Sequence, residues 1–227
     1  MDWNNDGKKD LLAGDTKGQV WLFLNTGSQT APELAEGVRV QADGKPILGN
    51  PPRYRDSEGK LQVETDPQKL MGIYSKIHFG DWDGDGLGDL LVGQSGPGGR
   101  DLLFYKNAGT QSEPNFASPK PLELPGPEMS RPSPYLVDWD GDGKLDILFG
   151  TERPEVYFFR NIGTNQNPKL ETGRKMELAG GDDFDQGYRC RIDVADWNGD
   201  GKLDILVGNF YSRKRPAGGN IWLFLAE

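Results

Sequence analysis

Fourteen aspartates fall into four short stretches whose spacing is that of a cation cage. The fullest reads Asp138-Trp139-Asp140-Gly141-Asp142-Gly143-Lys144-Leu145-Asp146, with carboxylates at positions 1, 3, 5 and 9. The others place Asp2, Asn4, Asp6 and Asp10, then Asp81, Asp83, Asp85 and Asp89, then Asp196, Asn198, Asp200 and Asp204 at the same positions. Alternate side chains of a tightly curled loop converge on one point. A hard divalent cation such as Ca²⁺ needs about 6–8 oxygen ligands there. Glycine at position 6 (Gly7, Gly86, Gly143, Gly201) lets the chain turn sharply. The position-7 carbonyl of Lys8, Leu87, Lys144 and Lys202 would face the ion, and the ninth aspartate would close the cage. With no Cys or His among the ligands, zinc and softer metals are disfavoured, and Mg²⁺ fits less well because it demands octahedral geometry and keeps its waters. About four Ca²⁺ ions, one per loop, are expected.

The loop opens like an EF-hand but does not continue as one. An EF-hand needs Glu at position 12 and flanking helices, whereas Ala13, Val92, Phe149 and Val207 stand there, inside short apolar runs that end in glycine. A bare Asp/Asn/Gly turn is the plain alternative for one copy, and repetition with the ninth position kept argues against it.

The 227-residue chain contains 32 glycines and 16 prolines, spread so that long helices have little room. Its apolar runs are short and rich in β-branched and aromatic residues, which predicts an all-β fold. The formal net charge is −9; without the loop aspartates the chain would be net positive, so the acidity belongs to the ion loops. The basic residues form one short cluster and no stripe, which disfavours nucleic acid. No membrane span or signal peptide is visible. Cys190 is the single cysteine and sits in a strand pattern as a small core residue; His78 likewise reads as a strand residue.

Each loop begins a longer repeat. A strand follows (from Asp10, Asp89, Asp146 and Asp204), then a second (from Val20, Leu102, Val156 and Ile221). Three of these second strands run into Asn-x-Gly-Ser/Thr at Asn25, Asn107 and Asn161, read as tight turns with residues suited to positive φ. A third strand follows near Val38, Pro121 and Lys175, and another precedes each later loop at Lys76, Tyr135 and Arg191. The repeat units are about 1–43, 73–125, 133–180 and 188–227, with an inserted loop or hairpin over about 44–72, all within a single domain 1–227. Four-stranded antiparallel units at this period predict propeller blades. Near-continuous apolarity in the two central strands predicts burial on both faces, as between stacked blades. The Trp at loop position 2 is expected to pack between blades.

These residues resemble FG-GAP/VCBS repeats, the calcium-binding β-propeller repeats of integrin α subunits, several lectins and some polysaccharide lyases. The resemblance implies a structural Ca²⁺ loop in each blade and ligand binding on the opposite face. It points to an extracellular or cell-surface binding module for glycan or protein, in keeping with the weak Ca²⁺ affinity of extracellular modules. The candidate ligand contacts are Phe210, Tyr211, Arg213 and Arg215, with Arg100, Arg153 and Tyr54 behind them. The first repeat begins at its ion loop and the fourth stops after its second strand. The expectation is therefore either a fragment of a larger ring or a four-unit chain completed by a second copy. A lyase-like enzyme and a purely structural part of a larger surface protein are the alternatives; no catalytic constellation is visible.

Overall fold

Short apolar runs bounded by glycine and aspartate loops fold as the pattern predicts: in this computed structural model the named elements of the described residues are all β-strands. The structure describes residues 1–49, 53–63, 74–95, 101–126, 130–179, 184, 187–211 and 218–226. The chain forms two compact units, Met1–Leu122 and Glu123–Glu227.

In the first unit, β1 (Leu11–Gly14), β2 (Val20–Phe23) and β3 (Val38–Arg39) form an antiparallel sheet in that order. Two hairpins follow, β4 (Gln41–Ala42) with β5 (Lys45–Pro46) and β6 (Arg53–Arg55) with β7 (Leu61–Val63). The second lies within residues 44–72. Then β8 (Lys76–Gly80), β9 (Asp89–Gln94), β10 (Asp101–Tyr105) and β11 (Lys120–Pro121) make a four-stranded antiparallel meander. His78 lies in β8, paired with Leu91. The core gathers Val20, Leu22, Leu90, Val92, Tyr105 and Phe116 around Trp3.

In the second unit, β12 (Ser133–Val137), β13 (Asp146–Gly150), β14 (Val156–Phe159) and β15 (Arg174–Lys175) repeat the four-stranded meander. The last sheet is β16 (Tyr188–Ala195), β17 (Asp204–Tyr211) and β18 (Gly218–Phe224). Its core joins Leu148, Val156, Phe158, Cys190, Ile205 and Val207. The two sheets also meet through the Tyr135 hydroxyl, which donates to the Val194 carbonyl at 3.2 Å.

The strands β9 and β13 are buried along their whole length, as their unbroken apolarity predicts, but the equally apolar β1 and β18 are not: Leu11 is 46% and Ile221 79% exposed. Two expectations change. The stretch from Gly208 to Gly219, expected from the resemblance to be a ligand-binding loop, is partly strand: β17 runs to Tyr211 and β18 begins at Gly218, so Phe210 and Tyr211 lie in β17. The position-2 tryptophans also divide: Trp3 lies 5.4 Å from Phe79 of the next sheet and 5.5 Å from Phe116, and Trp82 is buried, but Trp197 is 62% exposed.

Candidate metal centres and their surroundings

The four loops are built by the same hydrogen bonds. Position 1 receives the N–H of position 6 in all four: Gly7 to Asp2, Gly86 to Asp81, Gly143 to Asp138 and Gly201 to Asp196, each at 2.9–3.0 Å. Position 5 receives the N–H of position 7 at 2.8–3.1 Å, from Lys8 to Asp6, Leu87 to Asp85, Lys144 to Asp142 and Lys202 to Asp200. The position-6 glycines adopt φ of +82 to +88°, a region costly for any side chain. Position 4 is also left-handed, at Asn5, Gly84, Gly141 and Gly199. That second left-handed turn was not foreseen, though Asn and Gly at this place are its signal.

The ninth aspartate does more than cap the loop. One of its oxygens accepts the N–H of the position-2 Trp: Trp3 to Asp10, Trp82 to Asp89, Trp139 to Asp146, Trp197 to Asp204. The other accepts the N–H just beyond the second strand: Asn25, Asn107, Asn161 and Ala226, at 2.7–2.9 Å. All four carboxylates are buried. Burial pushes Asp89 up to about 6 against the pull of the Asn107 N–H, and the Asp83 charge adds to the rise. Burial raises Asp146 in the same way.

The asparagines that begin the Asn-x-Gly turns clamp them shut. Each side-chain oxygen accepts two backbone N–H groups: Gly27 and Glu33 on Asn25, Gly109 and Asn115 on Asn107, Gly163 and Lys169 on Asn161. Positive φ is not what the turn glycine supplies, since none of the three is among the left-handed residues. A Cβ on Gly27, Gly109 or Gly163 would lie 2.3–2.4 Å from a carbonyl oxygen. Close backbone approach selects the glycine.

Carboxylate oxygens of Asp81, Asp83 and Asp89 lie within 4.8 Å of one another, and so do those of Asp138, Asp140 and Asp146. In the first and fourth loops Asn4 and Asn198 replace one of the three carboxylates. Asp83 Oδ1 and Asp138 Oδ1 are buried and have no hydrogen-bond partner among the described residues. A buried carboxylate oxygen without a donor is costly. The donor set is hard oxygen throughout, so these residues fit a divalent cation of the Ca²⁺ type.

Sequence reasoning missed two cations. Lys106 contacts Asp83 and lies 2.7 Å from Asp85 Oδ2, and these partners raise its pKa. Arg160 lies 2.6 Å from Asp140 Oδ2 and 3.2 Å from Asp142 Oδ2. Both immediately precede the residue whose N–H caps the ninth aspartate. In the first and fourth loops the equivalent residues are Leu24 and Leu225. The cation therefore appears only where position 3 is Asp, and the aliphatic residue only where it is Asn.

Among the candidate ligand contacts, Phe210 sits on β17 and Arg153 is exposed on the turn after β13, its N–H bound to Thr151 Oγ1 at 3.1 Å. Tyr54 and Tyr211 lie in β6 and β17. Arg100, Arg213 and Arg215 lie outside the described residues. Unforeseen beside Phe210 are Arg189, whose guanidinium stands 5.1 Å from the ring centre, and Arg191.

A profile of the FG-GAP-like repeat matches residues 81–149 and again 138–207, together more than half of the chain. The chain belongs to the FG-GAP-like repeat family. A solved structure of a mutant Tc holotoxin pore from Photorhabdus luminescens is similar at 19% identity and a TM-score of 0.41, over 94% of this chain and 8% of that one. No curated protein matches the sequence. Among the described residues no helix is long and apolar enough to cross a membrane.

Proposed function

We propose that this chain is an extracellular, Ca²⁺-stabilised interaction module of the β-propeller type. In this reading the four loops hold Ca²⁺ for structure, and glycan or protein binds elsewhere. The family assignment supports a propeller-like interaction module, and the aspartate groups can hold a metal ion. The observation that carries the metal reading is the pair of buried oxygens, Asp83 Oδ1 and Asp138 Oδ1, that have no hydrogen-bond partner among the described residues and sit inside two clusters of converging carboxylates. Bound Ca²⁺ would supply positive charge that draws the loop together, and the coordinating set would be positions 1, 3, 5 and 9 with the position-7 carbonyl. The finer architecture belongs to the same proposal: each sheet is a blade, residues 1–227 are one domain, and further repeats or a second copy close the ring.

The test is thermal melting in Ca²⁺ and in EGTA, with mass by light scattering. Binding of several ions to the folded state alone should raise the melting temperature by about ten degrees or more at millimolar Ca²⁺, on the order of 1–3 kcal/mol per occupied loop. Superimposable curves would end the metal reading. A strictly monomeric mass would end closure by a second copy.

A further inference from the structure

We infer that the outer edge of β18 captures an extended, basic peptide segment of a partner protein as an added strand. The inference rests on the interaction-module reading and names its class of partner, but it does not depend on the ion loops.

The chain shows three times what such an edge takes. β3, β11 and β15 lie along the outer edges of β2, β10 and β14, each in the same register. Val38, Lys120 and Arg174 stand opposite Leu22, Phe104 and Phe158. Arg39, Pro121 and Lys175 stand opposite Trp21, Leu103 and Tyr157. The next residue, Val40, Leu122 or Met176, donates its N–H to the carbonyl of Val20, Leu102 or Val156 at 2.8–2.9 Å. Counted back from the N–H that brackets the ninth aspartate, Ile221, Trp222 and Leu223 occupy these places in β18. Among the described residues no strand pairs with the outer side of β18. Ile221 and Leu223 are exposed, whereas Val20, Leu102 and Val156 are buried. Part of that cover comes from the outer strands: Val40 joins the core cluster of Val20, and Met176 packs against that of Val156. A strand edge with unpaired backbone groups is a template for one more strand.

The occupant's chemistry follows from the same register. The three outer segments read Val-Arg-Val at 38–40, Lys-Pro-Leu at 120–122 and Arg-Lys-Met at 174–176. Each has a cation in its first two places and an apolar residue in the third. The Arg39 guanidinium stands 5.9 Å from the Trp21 ring centre and that of Arg174 4.8 Å from the Phe158 ring centre. Lys175 Nζ lies 3.3 Å from Glu155 Oε1. In β18, Trp222 holds the place of Trp21, and Glu177 lines one cleft together with Leu223 and Phe224. A ring and a carboxylate there suit a cation, and Ile221 gains cover from the apolar third residue. Glycine precedes two of the outer strands. A Cβ on Gly37 or Gly173 would lie 2.5 or 2.3 Å from the ring of Phe23 or Phe159, whose place in β18 belongs to Phe224. The fitting segment therefore reads Gly, two residues with at least one Arg or Lys, then an apolar residue.

The test uses the full chain in Ca²⁺ and a synthetic peptide of Glu171 to Leu178, which carries this pattern. Fluorescence anisotropy reads the affinity and amide hydrogen exchange reads the place. By the alternation of an antiparallel ladder, the Ile221 and Leu223 amides point outward and those of Trp222 and Phe224 toward β17. The peptide should bind and protect the first pair about tenfold or more, leaving the second pair unchanged. An N-methyl group on Met176 of the peptide removes the N–H that meets the Ile221 carbonyl and should weaken binding about tenfold. The same group on Lys175, whose N–H points away from the edge, should change little. Arg174→Glu with Lys175→Glu in the peptide should weaken binding severalfold. In the chain, Ile221→Pro removes an outward N–H while leaving the ladder to β17, and should abolish capture; its melting curve shows that it folds. Equal binding of the two N-methyl peptides, protection away from β18, or no binding at millimolar peptide would overturn the inference. Protection of Ile221 and Leu223 in the free chain that is lost on dilution would give the edge to a second copy and overturn it likewise. Peptide capture by a chain whose melting ignores Ca²⁺ would support the edge and refute the ion reading alone.

Discussion

Lys106→Leu gives the second ion loop the residue that the first and fourth loops already have at that place. The structure sets two opposing effects. Lys106 bridges Asp83 and Asp85, with its side chain 42% exposed and theirs 21% and 33%. Such half-exposed pairs are worth on the order of 0.5–1 kcal/mol. Without Ca²⁺ the variant should therefore melt about 1–4 °C lower. With Ca²⁺ the sign reverses, because a unit charge about 4 Å from a divalent ion repels it by about 2 kcal/mol in a water-like medium. Exposure lets the ammonium swing away, so about 1 kcal/mol is the working figure, or roughly fivefold tighter binding at this loop. Asp83→Asn removes a ligand charge and should weaken binding. The double variant reproduces the Asn–Leu pairing of the other loops and should return toward the parent. Chelator-competition titrations of the three variants, with melts in EGTA, give the cycle. The two changes should couple by about 0.5–1 kcal/mol. Strictly additive effects would show that Lys106 is not the counter-charge of Asp83, and the paired distribution of Asp with cation would lose its explanation.

Three further outcomes follow from the geometry. Asp146→Ala strands the N–H groups of Trp139 and Asn161 and should cost about 3 kcal/mol or more even in EGTA, read by chemical denaturation. Trp3→Ala should cost about 3–5 kcal/mol because it empties a core site, whereas Trp197→Ala should cost under about 1 kcal/mol. Burial pushes the Cys190 thiol up to about 11 from 9.0. A folded-state pKa above the unfolded one means that the contribution to stability is present below pH 9 and is lost between pH 9 and 11. Native protein should resist a disulfide reagent at pH 8–9, while denatured protein reacts at once; fast native labelling would contradict the buried placement.

Much of this was legible in the sequence because the period is short and the signals local. The four Asp loops, the strand that follows each and the hairpin near Arg53 are written in neighbouring residues. The turn at Asn25, Asn107 and Asn161 was legible as a turn but not in its cause: the glycine is fixed by the carbonyl of the residue four positions on, which the turn folds back against it and which no φ preference reports. Lys106 and Arg160 escaped because they lie 15 or more residues from the aspartates they touch, although their alternation with Leu24 and Leu225 is visible once the loops are aligned. Trp197 misled because its sequence neighbourhood matches that of Trp3 and only packing separates them. The placing of Arg189 and Arg191 beside Phe210 depends on a bulge in β16, and a one-residue register change leaves no mark in its alternation.

The double bracket at the ninth aspartate bears on how such a chain can be lengthened. Its two donors are main-chain N–H groups, so the residue that supplies the second can be Asn25, Asn107, Asn161 or Ala226 without loss of the bracket. Only the turn clamp asks for asparagine. Loop, hairpin and bracket thus travel together as a cassette that closes on itself. A copied cassette needs no matching change elsewhere to hold its own shape, which is the property that lets repeats multiply by duplication before their surfaces diverge.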